Sequence, residues 1–234
     1  GQMGLIGSIG LIGMALGAVV SGTIADRIGR KKVFTITVLL YSIASAFCAL
    51  SWNYQSLLVF RFLVGFGLGG ELPVAATLVS EYAPSRVRGR FIVLLESFWG
   101  LGWIAAACIA YFFIPLYGWR MAFLIGALPA LYVCLIRLHM PESVRYLLAH
   151  GRVGEARQIV VSLERQLHVP VAPFVSEKET VPVVAKASFR ELWKKPFASR
   201  TIMLWLVWFG INFSYYGIFM WLPSLVFQQG FTVV

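Results

Sequence analysis

Three ionisable side chains sit where charge is costly. Arg61, Glu71 and Glu96 each interrupt an otherwise apolar run. A charge at a bilayer centre costs roughly 2.5–3.5 kcal/mol on insertion scales, so such a residue reads as functional by default. For Arg61 the competing reading is snorkelling to the interface; for Glu71 it is a protonated, hydrogen-bonded packing group. Arg61 and Glu71 lie ten residues apart in one run, about 15 Å along a helix, and are therefore not each other's partner. Each needs a group on another helix. Glu96, Trp99, Gly100 and Trp103 fall on one helix face. A carboxyl group and two indoles around a glycine gap make a half-pocket for a flat ring. Trp208, Asn212, Tyr215 and Phe219 form a second stripe, with Tyr216 beside it. Aromatic stripes at this spacing commonly serve packing; the polar Asn212 and the Tyr215–Tyr216 pair are what favour a pocket.

The elements that must hold these groups are membrane spans. The chain is 59% hydrophobic and only 13% charged, against about half and a quarter in ordinary soluble domains. Six runs are expected to span: 3–25, 33–50, 56–80, 91–113, 118–138 and 200–224. Each is near the ~20 residues that cross a ~30 Å hydrocarbon core. The connectors alternate. "DRIGRKK", "PSRVRGR" and the long stretch from His139 to Ser199 are basic, whereas "SWNYQ" and "IPLYGW" are uncharged. Alternation places the basic loops in the cytoplasm and explains the net charge of +10 without a nucleic-acid partner. Trp52, Tyr54, Tyr117 and Trp119 lie beside the outer loops as an aromatic belt would, and Arg120 can snorkel there. The expected location is the inner (plasma) membrane, crossed several times.

Glycine marks the close contacts. Gly4, Gly7, Gly10, Gly13 and Gly17 recur along the first span, and Gly65, Gly67, Gly69 and Gly70 crowd the third. Small residues on one face let helix backbones approach in lipid. Cys48, Cys108 and Cys134 all fall in apolar runs and read as small hydrophobes, with neither metal spacing nor a disulfide expected. In the long loop, "PESVRYLLAHGRVGEARQIVVSLERQL" alternates charge and aliphatics, so two short amphipathic helices are expected. "PVAPFVSEKETVPVV" reads as linker, and Ser188 with Glu191 as a capping box leading to the last span. The chain begins with Gly1 rather than Met, at a membrane boundary, and ends at Val234 shortly after a span. It is expected to be part of a longer polypeptide.

Four motifs carry a family resemblance. "GTIADRIGRKK", with Gly22, Asp26, Arg27, Gly29, Arg30 and Lys31, is similar to the G-x-x-x-D-R-x-G-R-K loop of the major facilitator superfamily. "RFLVGFGLGG" resembles that superfamily's R-x-x-x-G-x-G-x-G helix, and "EYAPSRVRGR" its E-x-x-P-x-x-x-R-G loop. "PESVRYLL" resembles the PESPRYL signature of sugar-porter-like members, with Val144 in place of proline. "GLGGELPVAATLVSE", "VLLESFWGLGW" and "VWFGINFSYYGIFMWLPS" resemble the bacterial nicotinate transporter branch, near the aromatic-acid and sugar proton symporters. The resemblance implies an all-α membrane fold of which this chain covers helices two to seven of twelve. Residues 1–138 are then the N-terminal half without its first helix, 139–198 the inter-half cytoplasmic loop, and 199–234 the first helix of the second half.

The resemblance also implies roles. Asp26, Arg27, Arg30, Glu81, Arg88, Glu142 and Arg145 belong to a cytoplasmic gate, with the arginines pairing to glutamates and Asp26 facing a helix N-terminus of the other half. Arg61 meets an acidic residue on the absent first helix, a carrier of the coupling proton. Arg61, Glu71, Glu96, Trp99, Trp103, Asn212, Tyr215 and Tyr216 line the substrate cavity. Glu96 stands where sugar porters carry a glutamine, and their glutamine-rich seventh-helix motif is missing, which argues against a sugar. The expected function is proton-coupled transport of a small aromatic acid such as nicotinate. The expected partners are that solute, protons, the lipid bilayer and the remaining helices of the same polypeptide, with a monomer when complete. No cofactor or metal is expected. The alternatives are another aromatic acid or a sugar as cargo, or a non-transporting receptor on the same fold. An enzyme is disfavoured: no nucleophile–base pair is visible, and His139, His150 and His168 lie in or near the long loop.

Overall fold

Main-chain polar groups in hydrocarbon have no water to turn to, so a spanning chain must satisfy them within itself. The computed structural model describes residues 2–168 and 189–230, and among these every regular element is helical. Residues Gly1–Glu177 form one compact unit and Lys178–Val234 a second.

In the first unit, α1 (Gln2–Ile28), α2 (Arg30–Ala49) and α3 (Tyr54–Tyr82) form the packed heart. Glycines set their spacing. A Cβ on Gly13 or Gly17 of α1 would overlap the carbonyl of Phe62 or Phe66 on α3; one on Gly65 or Gly69 would overlap that of Gly10 or Met14 on α1. On the other side of α3, a Cβ on Gly67 would lie 2.7 Å from Tyr41 Cβ of α2. Backbone therefore meets backbone, the close approach small residues permit in lipid. Below this contact Ala25, Val33, Val74 and Leu78 are buried together, and Val38 with Val133 forms a second cluster; Phe34 and Met140 pack against both.

The turns obey their residues. Gly29 joins α1 to α2 at φ 105°, a conformation that favours glycine. Asn53 and Ser56 exchange side-chain and main-chain bonds at the start of α3, Oδ1 of Asn53 accepting from Ser56 N–H at 2.7 Å. α4 (Arg88–Tyr117) follows and has no fully buried side chain.

Five helices are long and apolar enough to span, among the described residues. The fifth expected span, 118–138, is the exception. It divides into α5 (Trp119–Ile125) and α6 (Pro129–His139). Pro129 has no N–H and stands as the first residue of α6, where a helix start leaves that donor unpaired in any case. The intervening turn tightens instead: Ala127 N–H bonds Leu124 O at 3.0 Å and Leu128 N–H bonds Ile125 O at 3.1 Å.

The two expected amphipathic helices form as α7 (Val144–Ala149) and α8 (Val153–Gln166), closed around Tyr146, Leu147 and Ala156. Arg152 pairs with Glu155 at 2.6 Å, and this bond raises the guanidinium's pKa. The linker reading at 170–184 and the Ser188 cap lie outside the described residues. In the second unit a 3-10 turn, Phe189–Trp193, precedes α9 (Phe197–Gln228). Thr201 Oγ1 ties them by donating to Leu192 O at 3.1 Å.

Candidate functional site

At the end of the bundle that carries the basic loops, four of the sequence-predicted gate residues come together. Arg30 opens α2. Its Nη2 lies 2.9 Å from Asp26 Oδ1 and 3.9 Å from Glu81 Oε1. The side chains of Arg30 and Glu81 are 14% and 12% exposed, that of Asp26 73%. The Asp26 pair is thus an exposed one, of a type worth about 1 kcal/mol or less. The Arg30–Glu81 contact is the better shielded, and it ties α2 to the end of α3. The Arg30 guanidinium also lies 5.5 Å from the centroid of the Tyr146 ring.

Glu142 is held by main-chain N–H groups. Its Oε1 accepts from Lys31 N at 3.1 Å and Ser143 N at 3.0 Å. Lys31 N is one of the donors a helix start leaves unpaired, and the α2 dipole favours an anion there. Gly29 makes the approach possible, since a Cβ on it would collide with the Glu142 carboxylate. Around this lie three hydroxyls to which the motif reading gave no role. Tyr82 OH donates to Glu142 O at 2.7 Å, and Tyr146 OH to Arg27 O at 3.1 Å. Ser143, fully buried, caps α7 by accepting from Tyr146 N and donates to the Glu81 carboxylate. Residues 140–146 are thereby riveted to the ends of α1, α2 and α3. The Arg27, Arg88 and Arg145 side chains are exposed.

Ser143→Ala should weaken this rivet by about 1–2 kcal/mol, because a cap and a buried carboxylate's donor are lost together. Limited proteolysis of the α7–α8 hairpin measures it. Cleavage at the parent rate would refute the rivet.

Within the spans the predicted cavity residues are spread along the helices. Arg61 is half-buried on α3, its guanidinium carbon 5.0 Å from the centroid of the Phe123 ring on α5. Its Nε is buried with no hydrogen-bond partner among the described residues. Glu71 is half-buried further along α3. Arg61 and Glu71 are not brought together, as their spacing required. On α4, Trp99 and Trp103 are 37% and 40% exposed, less than their neighbours Phe98 (61%), Leu101 (57%) and Ile104 (63%). Gly100 between them has open space beside it, and Glu96 on the same face is exposed. In the second unit, Asn212 Nδ2 donates to Trp208 O at 2.8 Å within α9, and the Tyr215 and Tyr216 rings meet edge to face at 5.3 Å. Phe123 escaped sequence reasoning, although it lies in an apolar run.

A bundle of apolar helices with charges inside it, and an ionic cluster at its basic end, is the build of a polytopic membrane transporter. The family model described as "Sugar (and other) transporter" matches residues 1–231, and the chain belongs to that family. It is 60% identical over its whole length to the niacin transporter NiaP of Acinetobacter baylyi, covering 53% of that protein. It is 43% identical, again over its whole length, to the putative niacin/nicotinamide transporter NiaP of Bacillus subtilis, covering 51%. The 4-hydroxybenzoate transporter PcaK of A. baylyi is 35% identical over 98% of the chain, which covers 51% of PcaK. The chain spans about half the length of these curated relatives. Among solved structures, the proton:xylose symporter XylE superposes with a TM-score of 0.63 at 23% identity, over 71% of this chain and 42% of that one. That likeness establishes the major facilitator fold.

Proposed function

We propose that this protein is a proton-coupled secondary transporter that carries a small aromatic carboxylate, nicotinate foremost, across the inner membrane. The observation that carries the reading is the 60% identity along the whole chain to a niacin transporter. The site chemistry agrees with it. Trp99 and Trp103 flank the open space at Gly100 and offer faces on which a flat ring can stack. Glu96 orients the ring from the same helix face, and Asn212, Tyr215 and Tyr216 are the polar and aromatic side chains that α9 contributes to substrate binding. Arg61 receives the carboxylate or a proton-carrying acidic partner, Glu71 marks a second polar point on α3, and the protein works as a monomer.

The ionic cluster serves as the gate. Asp26, Arg30, Glu81 and Glu142 hold the basic end closed, and Arg27, Arg88 and Arg145 rim it. Alternating access requires these bonds to exchange during each cycle. The exposed Asp26–Arg30 pair, worth about 1 kcal/mol or less, suits that purpose, because it biases a closed state without trapping it. The relationship to PcaK makes other aromatic acids the second class of cargo.

The test is uptake of labelled nicotinate by cells expressing the protein, with benzoate, 4-hydroxybenzoate and xylose as competitors. Nicotinate should compete best, aromatic acids partially, xylose not at all. A proton ionophore should abolish accumulation. Accumulation that survives the ionophore would remove proton coupling, and competition by xylose alone would reverse the substrate class.

A further inference from the structure

The divided fifth run does more than tolerate a proline. Because Ala127 N–H bonds Leu124 O, the carbonyl of Phe123 loses the donor that a continuous helix would supply. Ser45 Oγ of α2, itself buried, donates to that carbonyl at 2.8 Å. A released carbonyl in hydrocarbon is tolerated where a serine or threonine side chain satisfies it. Gly126 leaves room for this, since a Cβ there would lie 2.8 Å from the Ser45 hydroxyl. The residue whose main chain is pinned in this way is the one whose ring lies 5.0 Å from the Arg61 guanidinium carbon.

A guanidinium carries its N–H donors in its own plane. Stacking on a ring holds the flat face and consumes no donor. The edge stays available for a carboxylate, which Arg binds bidentately. The buried Arg61 Nε, which has no hydrogen-bond partner among the described residues, is one of those edge donors. We propose that Phe123, pinned through its carbonyl by Ser45, is a positioning residue that fixes the plane of the Arg61 guanidinium, so that its N–H edge meets the carboxylate of an anionic aromatic substrate in one orientation. This rests on the reading of Arg61 as the anion's partner given above.

The test compares Phe123→Leu, Phe123→Tyr and Ser45→Ala. Losing the ring should raise KM for labelled nicotinate roughly threefold to tenfold and leave kcat within about twofold. Tyrosine keeps the ring and should restore the parent KM. Ser45→Ala should shift KM in the same direction as Phe123→Leu. A parallel measurement needs no transport: melting of the detergent-purified protein carrying Phe123→Leu, Arg61→Gln or both. Non-additive melting shifts support the pairing. Additive shifts overturn it, as does a Phe123→Leu protein with unchanged KM or a tyrosine that fails to rescue. If the parent accumulates no nicotinate, the proposed function falls, and the melting cycle still decides whether Phe123 positions Arg61.

Discussion

Gly65→Ala should destabilise the protein by about 3 kcal/mol, and Gly100→Ala should leave it unchanged or slightly stabilised. The two substitutions are chemically identical and both fall in long apolar helices. They differ in what a methyl group would meet. At Gly65 it would enter the carbonyl of Gly10, which is backbone and cannot rotate away; at Gly100 it would meet open space. α1 and α3 would have to separate, and the neighbouring contacts of Gly13, Gly17 and Gly69 would loosen with them. A gain in helix propensity of roughly 0.5–1 kcal/mol is common to both positions, so it cannot reverse their order. Thermal melting of the two purified variants in detergent measures the difference. Equal melting temperatures would mean that α1 and α3 do not approach backbone to backbone.

The second large effect falls on activity. On the proposed role of Arg61 as the partner of the substrate carboxylate, Arg61→Gln should reduce nicotinate uptake at low substrate concentration by roughly thirtyfold or more, since truncating one member of such a charge pair costs about 2–5 kcal/mol. Glutamine keeps a donor but loses the charge and the planar fork. Arg61→Lys should recover only part of the loss, because an ammonium has no planar fork with which to bind a carboxylate bidentately. The initial uptake rate, corrected for the amount of protein in the membrane, is the measurement. Uptake within about twofold of the parent would take Arg61 out of the site, since a lost charge pair of this strength leaves a far larger deficit.

Several features were readable from residue order because their causes are local. Spanning length and apolarity identify α1 to α4 and α9 directly, and charge alternation in the loops orders them. The clash of Arg61 with its apolar surroundings and the ten-residue offset to Glu71 need no coordinates. The amphipathic pair α7 and α8 follows from aliphatic spacing and the glycine at 151. The break in the fifth run was also written in the sequence, in "IGALPA", but hydropathy hides it: Gly126, Ala127, Leu128 and Pro129 keep the run apolar while ending the helix. A rule about apolar length counted through a turn whose hydrogen bonds reach back three residues instead of four.

The arginine and glutamate motifs announced an ionic cluster without saying which atoms meet. Glu142 illustrates the limit. Charge pairing assigns it to an arginine, yet its carboxylate bonds Lys31 N, a main-chain group 111 residues away. No side-chain pattern encodes an N–H group, and its availability exists only because α2 begins there. Ser143 reaching Glu81 across 62 residues, and Phe123 lying beside Arg61, are of the same kind.

By itself the sequence determined that this chain is a bundle of membrane helices with a basic side, a glycine-lined contact face and a few charges that lipid would not tolerate unpartnered, because hydropathy, length and charge act on each segment where it stands. Only the tertiary structure decided the partners, because the carbonyl freed by a broken helix, the donors left at a helix start and the ring beside a guanidinium come into being when separate segments are brought within hydrogen-bonding distance.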